Sequence, residues 1–297
     1  MGGGSWTASS FVDYSKRKGR STVKTSFATT DGMTIDTVTL SGDMTNQELF
    51  KQVNVHESLK PYKALRECRD TAEHPNTKPV ILALDVTGSM GQTAVEIAKQ
   101  LSAMMDTLYT TITDIEFLIM GIGDLYCDRG PIQISQFESD IRIAEHLDNV
   151  WFEFGGGGNK WESYTAAWYM GSRHCDLDCW KRGEKGTLIT IGDERINPTL
   201  RKDHLNEFTG DTLQTDVDTP ILYDEVCARY NVYHINVDHR GSWDIDGIRS
   251  SFEFMGDHYR EVKGVNDVPQ MIVDLINDSI GNSGCAVTAA PGEGISW

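Results

Sequence analysis

Residues 80–85, VILALD, form an apolar run bounded by polar residues. A strand of this kind is buried on both faces, so its sheet has to be covered by helices on either side. The segment after it, about 92–109, carries apolar residues at 94, 95, 97, 98, 101, 104, 105 and 108, the spacing of an amphipathic helix. The alternation continues. IEFLIMGIGD and GPIQISQF read as two strands joined by a short polar loop, a hairpin. A helix near 139–148, VWFEFGGGG, a helix near 161–172 and the strand GTLITIGDE come next. A helix at 220–229, the strand NVYHINVD and a closing helix at 267–280 complete the series. The pattern predicts an α/β fold of the Rossmann-like, doubly wound kind. Its sheet is mostly parallel, with one antiparallel edge strand and helices on both faces.

Three stretches of chain follow from this reading. Residues 78–281 form the α/β domain, 1–77 an amino-terminal basic arm and extension packing on it, and 282–297 a loose Gly, Ala and Ser-rich tail. Within the first stretch, 1–30 read as a solvated arm holding Lys16, Arg17, Lys18, Arg20 and Lys24. MTIDTVTLSG reads as a strand and 44–72 as helical, closed by the breaker-rich EHPNTKP.

The formal charge of −17 and pI near 4.8 speak against a nucleic-acid surface, except through the basic arm, and suit attraction of cations or basic partners. No apolar run approaches a membrane span, and the amino terminus lacks the apolar core of a signal peptide. MGGGSW does not meet the myristoylation pattern, because Trp6 stands where Ser or Thr is required. Six scattered cysteines read as reduced thiols of a cytoplasmic protein. His174, Cys175 and Cys179 in HCDLDCW lack a second pair of zinc ligands at suitable spacing.

The chemistry is expected where VILALD gives way to its helix, since open α/β sheets bind ligands beyond the carboxyl ends of their strands. The turn there reads DVTGSMG. No Lys follows Gly91 to make a phosphate loop, and Gly88 and Gly91 are too few for a dinucleotide fingerprint. Thr87 stands where an Asp-x-Asp phosphotransferase needs its second carboxylate, and TGSMG is not a nucleophile elbow. What remains is Asp-x-Thr-x-Ser: Asp85, Thr87 and Ser89.

This stretch resembles the metal ion-dependent adhesion site of von Willebrand factor A (VWA) domains, whose pattern is Asp-x-Ser-x-Ser. LITIGDERIN resembles the family's strand ending in its last metal-site carboxylate, here Asp193. FLIMGIGDLY with PIQISQF, and the ending YREVKGVNDVPQMIVDLI, are similar to further family elements, so the resemblance covers roughly 78–281. The family's Gly-x-Thr is absent. FGGGGNKWESYTAAWYM instead resembles a family variant with Gly-Gly-Gly-Asp-x-x-Glu-Ser, in which Asn159 replaces Asp and Glu162 or Ser163 does the work of Thr.

The resemblance implies a metal-dependent protein–protein interaction module, not an enzyme, acting as scaffold or adaptor in an intracellular assembly. A partner, an AAA-type ATPase or an assembly subunit, would meet the metal face. Alternate residues of an extended turn point the same way, so Asp85, Thr87 and Ser89 converge. All candidate ligands (Asp85, Thr87, Ser89, Glu162 or Ser163, Asp193) are oxygen donors, which favours Mg²⁺, with Mn²⁺ or Ca²⁺ possible. The alternatives are a Mg²⁺-dependent hydrolase or phosphotransferase using Asp85, and a structural subunit with an incidental metal. Asp124 either stands behind the metal or starts a turn. Asp238 and His239 read as a surface loop, the aromatic residues of WESYTAAWY as core, and 194–220 as a long loop that shapes partner choice.

Overall fold

The computed structural model describes residues 4–29, 32–153, 160–238 and 244–281. Asn159 and its preceding glycines, His239, Cys285 and the tail 282–297 lie outside the described residues. The amino-terminal hairpin pairs β1 (Thr22–Ala28) with β2 (Thr34–Leu40). The main sheet has six strands: β3 (Lys78–Asp85), β4 (Ile115–Ile122), β5 (Ile132–Ile134), β6 (Gly186–Gly192), β7 (Tyr230–Val237) and β8 (Tyr259–Val262). Their spatial order is β8-β7-β6-β3-β4-β5. All neighbours are parallel except β4 and β5, so the hairpin forms as expected and puts an antiparallel strand at one edge.

The strand pleat sends successive side chains to opposite faces, and each face has its own core. Val80, Leu82 and Leu84 of β3 join one apolar cluster, while Ile81 and Ala83 join the other. The first is closed by α1 (Ala8–Arg17), α2 (Gly91–Tyr109), α3 (Arg142–Asp148) and α8 (Val268–Gly281). The second is closed by α4 (Thr165–Arg173), α5 (Lys202–Thr209), α6 (Thr219–Cys227) and α7 (Ile245–Ser251). The chain runs outward from β3 to β4 and β5 on one side, and from β6 to β7 and β8 on the other. The crevice between the carboxyl ends of β3 and β6 is therefore the place where connections diverge, the usual seat of a ligand in such sheets.

Three parts differ from the sequence reading. The basic arm is not a solvated tail: α1 is capped by Thr7, whose hydroxyl accepts from the Ser10 N–H at 3.1 Å. Phe11 and Tyr14, three residues apart, bury one helix face and leave Lys16 and Arg17 exposed. Arg20 pairs with the buried Asp148 at 2.9 Å, and the Tyr14 hydroxyl donates to the same carboxylate at 2.6 Å. The region 44–72 is helical only over Asn46–Leu49 and a 3₁₀ turn at Glu57–Leu59, with a strand at Arg66–Cys68. Val53 and Val55 disfavour continuation of the helix, and Pro61 forbids it. The segment 194–220 is not a loop, because α5 sits inside it with Leu205 wholly buried, and Thr199–Leu200 pairs with Val217–Asp218. Among the described residues no helix is long and apolar enough to cross a membrane.

Candidate metal centre

Asp85 ends β3, and the chain leaves the sheet through Val86, whose N–H still donates to the Ile122 carbonyl at 2.9 Å. Thr87 stays extended (φ −72°, ψ 166°) before the turn Gly88–Met90 leads into α2. That geometry turns Thr87 back toward Asp85: its N–H and hydroxyl donate to Oδ1 at 2.8 and 2.5 Å. The Ser89 hydroxyl donates to Oδ1 of Asp193, just beyond the end of β6, at 3.1 Å. The hydroxyl oxygens of Thr87 and Ser89 lie 3.3 Å apart. The Thr87 hydroxyl is bonded to Asp85, the Ser89 hydroxyl to Asp193, and the two hydroxyls also lie within hydrogen-bond distance of each other, so four oxygen-bearing side chains gather between the two strand ends. A cation is the natural complement of that arrangement.

Although it stands at the carboxyl end of its strand, Asp85 is 1% exposed. The cover is Tyr164, which the sequence reading assigned only to core packing. The Tyr164 hydroxyl donates to Asp85 Oδ2 at 2.9 Å and accepts from the N–H groups of Asp193 and Glu194, each at 3.2 Å. One side chain thus ties the carboxyl ends of β3 and β6 together. Gly192 makes this approach possible, because a Cβ there would overlap the phenol oxygen and ring edge. A glycine just before the expected metal carboxylate was the available signal.

Glu162 and Ser163 behave differently. The Ser163 hydroxyl accepts from the Leu125 N–H at 3.0 Å and Asn197 Nδ2 at 2.8 Å, and donates to Asp124 Oδ1 at 3.3 Å. Its capacity is spent on holding loops together. Glu162 is 4% exposed, and its Oε2 has no hydrogen-bond partner among the described residues. Burial, and then the charges of Asp85, Asp128, Asp124 and Glu194, drive its carboxyl far above the usual range. Burial, and then the Asp193 charge, raise Asp85 to about 7 against the hydrogen bonds from Thr87 and Tyr164. Such a gathering of buried carboxyls fits a positive ion of hard character. Among the described residues no three His, Cys, Asp or Glu side chains converge as a metal cage, so hydroxyls would have to share the coordination.

Asp124 starts a turn, its Oδ1 accepting from the Tyr126 N–H at 3.1 Å. The zinc alternative has no ligand set either: the His174 ring is bonded to the Ala64 carbonyl and to Asp211, each at 2.9 Å, and Cys175 and Cys179 are buried.

No protein family's sequence model matches the chain, and no curated protein matches it. Solved structures do resemble it. The pilus adhesin SpaC from Lactobacillus rhamnosus GG, in its open conformation, is 13% identical with a TM-score of 0.45, over 73% of this chain and 31% of the adhesin. A von Willebrand factor type A protein from Catenulispora acidiphila is 12% identical with a TM-score of 0.39, over 69% of this chain and 43% of that one. Proximal thread matrix protein 1 from the mussel byssus is 10% identical with a TM-score of 0.43, over 72% and 49%. This chain spans less than half of each of the three.

Proposed function

We propose that the chain is a metal-dependent protein-interaction module of the VWA kind, built on a Rossmann-like, doubly wound sheet. Asp85, Thr87, Ser89, Asp193 and Glu162 would hold a Mg²⁺ ion, which supplies a Lewis-acidic contact point for a partner's carboxylate. The observation that carries the reading is the convergence of the Thr87 and Ser89 hydroxyl oxygens, 3.3 Å apart, with the Asp85 and Asp193 carboxylates at the ends of two neighbouring strands. The orphaned Glu162 Oε2 supports it, and favours Glu162 over Ser163 as the fifth donor. Oxygen-only donors with short side chains on a turn favour Mg²⁺, replaceable by Mn²⁺.

An adaptor fits better than an enzyme. Asp85 is 1% exposed with both carboxylate oxygens already hydrogen-bonded, a poor disposition for a nucleophile, and Thr87 cannot act as a second catalytic carboxylate. An assembly subunit inside the cell, with an AAA-type ATPase among its partner classes, remains the role implied by the sequence resemblance. Binding of labelled acidic peptides, followed by fluorescence polarisation with Mg²⁺ and with chelator, tests the proposal. Binding that chelator abolishes and Asp85→Ala lacks supports it. Binding indifferent to chelator refutes it, and phosphate-ester turnover lost in Asp85→Asn would favour the hydrolase instead.

A further inference from the structure

The amino-terminal hairpin has one uncovered edge. β2 is its inner strand: the Thr37 hydroxyl donates to Asp106 of α2, and Thr37 and Leu40 are buried. β1 is the outer strand, with Val23 50% exposed, Lys24, Ser26 and Ala28 exposed, and only Phe27 buried. The register runs unbroken from Thr22↔Leu40 to Ala28↔Thr34. Just beyond its ends, the Ser41 N–H donates to the Ser21 carbonyl at 2.9 Å and the Thr29 N–H to the Met33 carbonyl at 2.8 Å. In an antiparallel ladder hydrogen-bonded pairs alternate with non-bonded ones. The odd-numbered residues of β1 are therefore bonded to β2, while Thr22, Lys24, Ser26 and Ala28 turn their N–H and C=O groups outward. Among the described residues no other strand takes these groups up. Neither a proline nor a bulge blunts the edge, and Lys24 is its only charge.

We infer that this edge pairs with the same edge of a second copy of the chain, β1 against β1 in antiparallel, making a four-stranded sheet across a two-fold axis. One register suits it. Even residues must face even residues for the outward groups to bond, and Lys24 opposite its own copy sets like charges together. Pairing Lys24 with Ser26, and Thr22 with Ala28, avoids that and engages the whole strand. Thr25 then lies on the axis opposite Thr25, and the exposed Val23 meets Phe27, a favourable β-branched and aromatic pair. The Ser26 hydroxyl donates to Asp36 Oδ1 at 3.4 Å, and neither Asp36 nor Lys24 has an ion pair among the described residues. In the joined sheet Lys24 of one copy stands two strand spacings, about 10 Å, from Asp36 of the other on the same face. The two side chains together span that distance, and symmetry makes the contact twice. An edge of seven residues is a small interface, so the dimer is weak and concentration-dependent. It needs no metal.

Sedimentation velocity of the full chain, in chelator and from low micromolar to near-millimolar concentration, should show a reversible monomer–dimer equilibrium. Ser26→Pro removes an outward N–H and no hairpin bond, and should leave only monomer. Lys24→Glu should weaken the dimer about tenfold, and adding Asp36→Lys to it should restore the dimer. In Thr25→Cys the two copies of residue 25 have their Cα atoms about 4.5 Å apart, so mild oxidation should give a dimer linked through that residue, identified by mass spectrometry. A wild type that stays monomeric throughout overturns the inference. So does a dimer that a folded Ser26→Pro protein keeps, or one that forms no link through residue 25. If Ser26→Pro does not fold, the exposed charges decide. A Lys24→Glu protein that dimerises as tightly as wild type overturns the pairing, and a loss rescued by Asp36→Lys supports it.

Discussion

Replacing Gly192 by Ala adds a single methyl group at the last residue of β6, and its cost follows from one contact. The new Cβ would overlap Oη, Cζ and Cε1 of Tyr164. Gly192 has no positive φ to defend, so the penalty is steric and lies in the pair. Tyr164 is 1% exposed, and the rigid ring has to move as a whole. Overpacking of this sort costs about 1–3 kcal/mol. Displacement of the ring also breaks a hydrogen bond to a carboxylate, worth about 1.5–3 kcal/mol. We expect Gly192→Ala to lower unfolding stability by about 2.5–6 kcal/mol, measured by urea denaturation followed by circular dichroism. That is a large share of the stability of a typical domain, about 5–15 kcal/mol. A double-mutant cycle isolates the pair. Tyr164→Leu withdraws the ring end that the methyl strikes, so Gly192→Ala should cost about 1–3 kcal/mol less in that background. A single-variant cost below about 0.5 kcal/mol, the noise of a neutral surface change, would refute this packing of Tyr164 against β6. So would strict additivity of the two substitutions.

Further outcomes follow from the same geometry. Ser163→Ala leaves the Leu125 N–H and Asn197 Nδ2 without their acceptor, and should cost about 1–3 kcal/mol in urea unfolding while Mn²⁺ affinity changes little. A drop of tenfold or more in that affinity would return Ser163 to the ligand set. Glu162→Gln, by contrast, should weaken Mn²⁺ binding, and an unchanged titration would remove Glu162 from it. The raised carboxyl of Asp85 also sets a pH dependence in chelator. Its pKa is about 7 folded, against about 4 unfolded, so the folded state binds the extra proton between those values. Its contribution to stability is then full below pH about 4 and is lost as the pH rises toward about 7. The thermal midpoint of the wild type should fall across that window relative to Asp85→Asn, and Mg²⁺ should cancel the fall. A midpoint difference between the two that is flat with pH would contradict the carboxyl environment described here.

The sheet and the turn at Asp85 were legible because their signals are local. An unbroken apolar run such as VILALD has one stable use, and alternate polar residues after it have one common direction. The helices α2 and α8 were legible for the same reason, from their apolar spacing. Residues 44–72 were not, because their order comes from tertiary anchors such as the buried Leu59, while their own helical periodicity was weak. The basic arm misled through its charge: Lys16 and Arg17 are solvated, but Phe11 and Tyr14 on the opposite face decide where the helix lies. Within the site, Asp85, Thr87 and Ser89 lie together as their alternate spacing suggested, and Asp193, which only the family resemblance had singled out, lies beside them. Tyr164 was illegible as a site residue because its role depends on a hydroxyl meeting strand ends that are distant in sequence. Glu162 and Ser163 were indistinguishable until their neighbours were known, since only Asn197, Leu125 and Asp124 show that the hydroxyl is already used.

The central claim is that a hard divalent cation sits between the carboxyl ends of β3 and β6. Titration of Mn²⁺ into the wild type and Asp85→Ala, followed by electron paramagnetic resonance with Mg²⁺ as competitor, addresses it directly. One saturable site is expected in the wild type, emptied by Mg²⁺, and no such site in an Asp85→Ala protein that keeps its circular dichroism spectrum. Equal Mn²⁺ binding by the two proteins would contradict it.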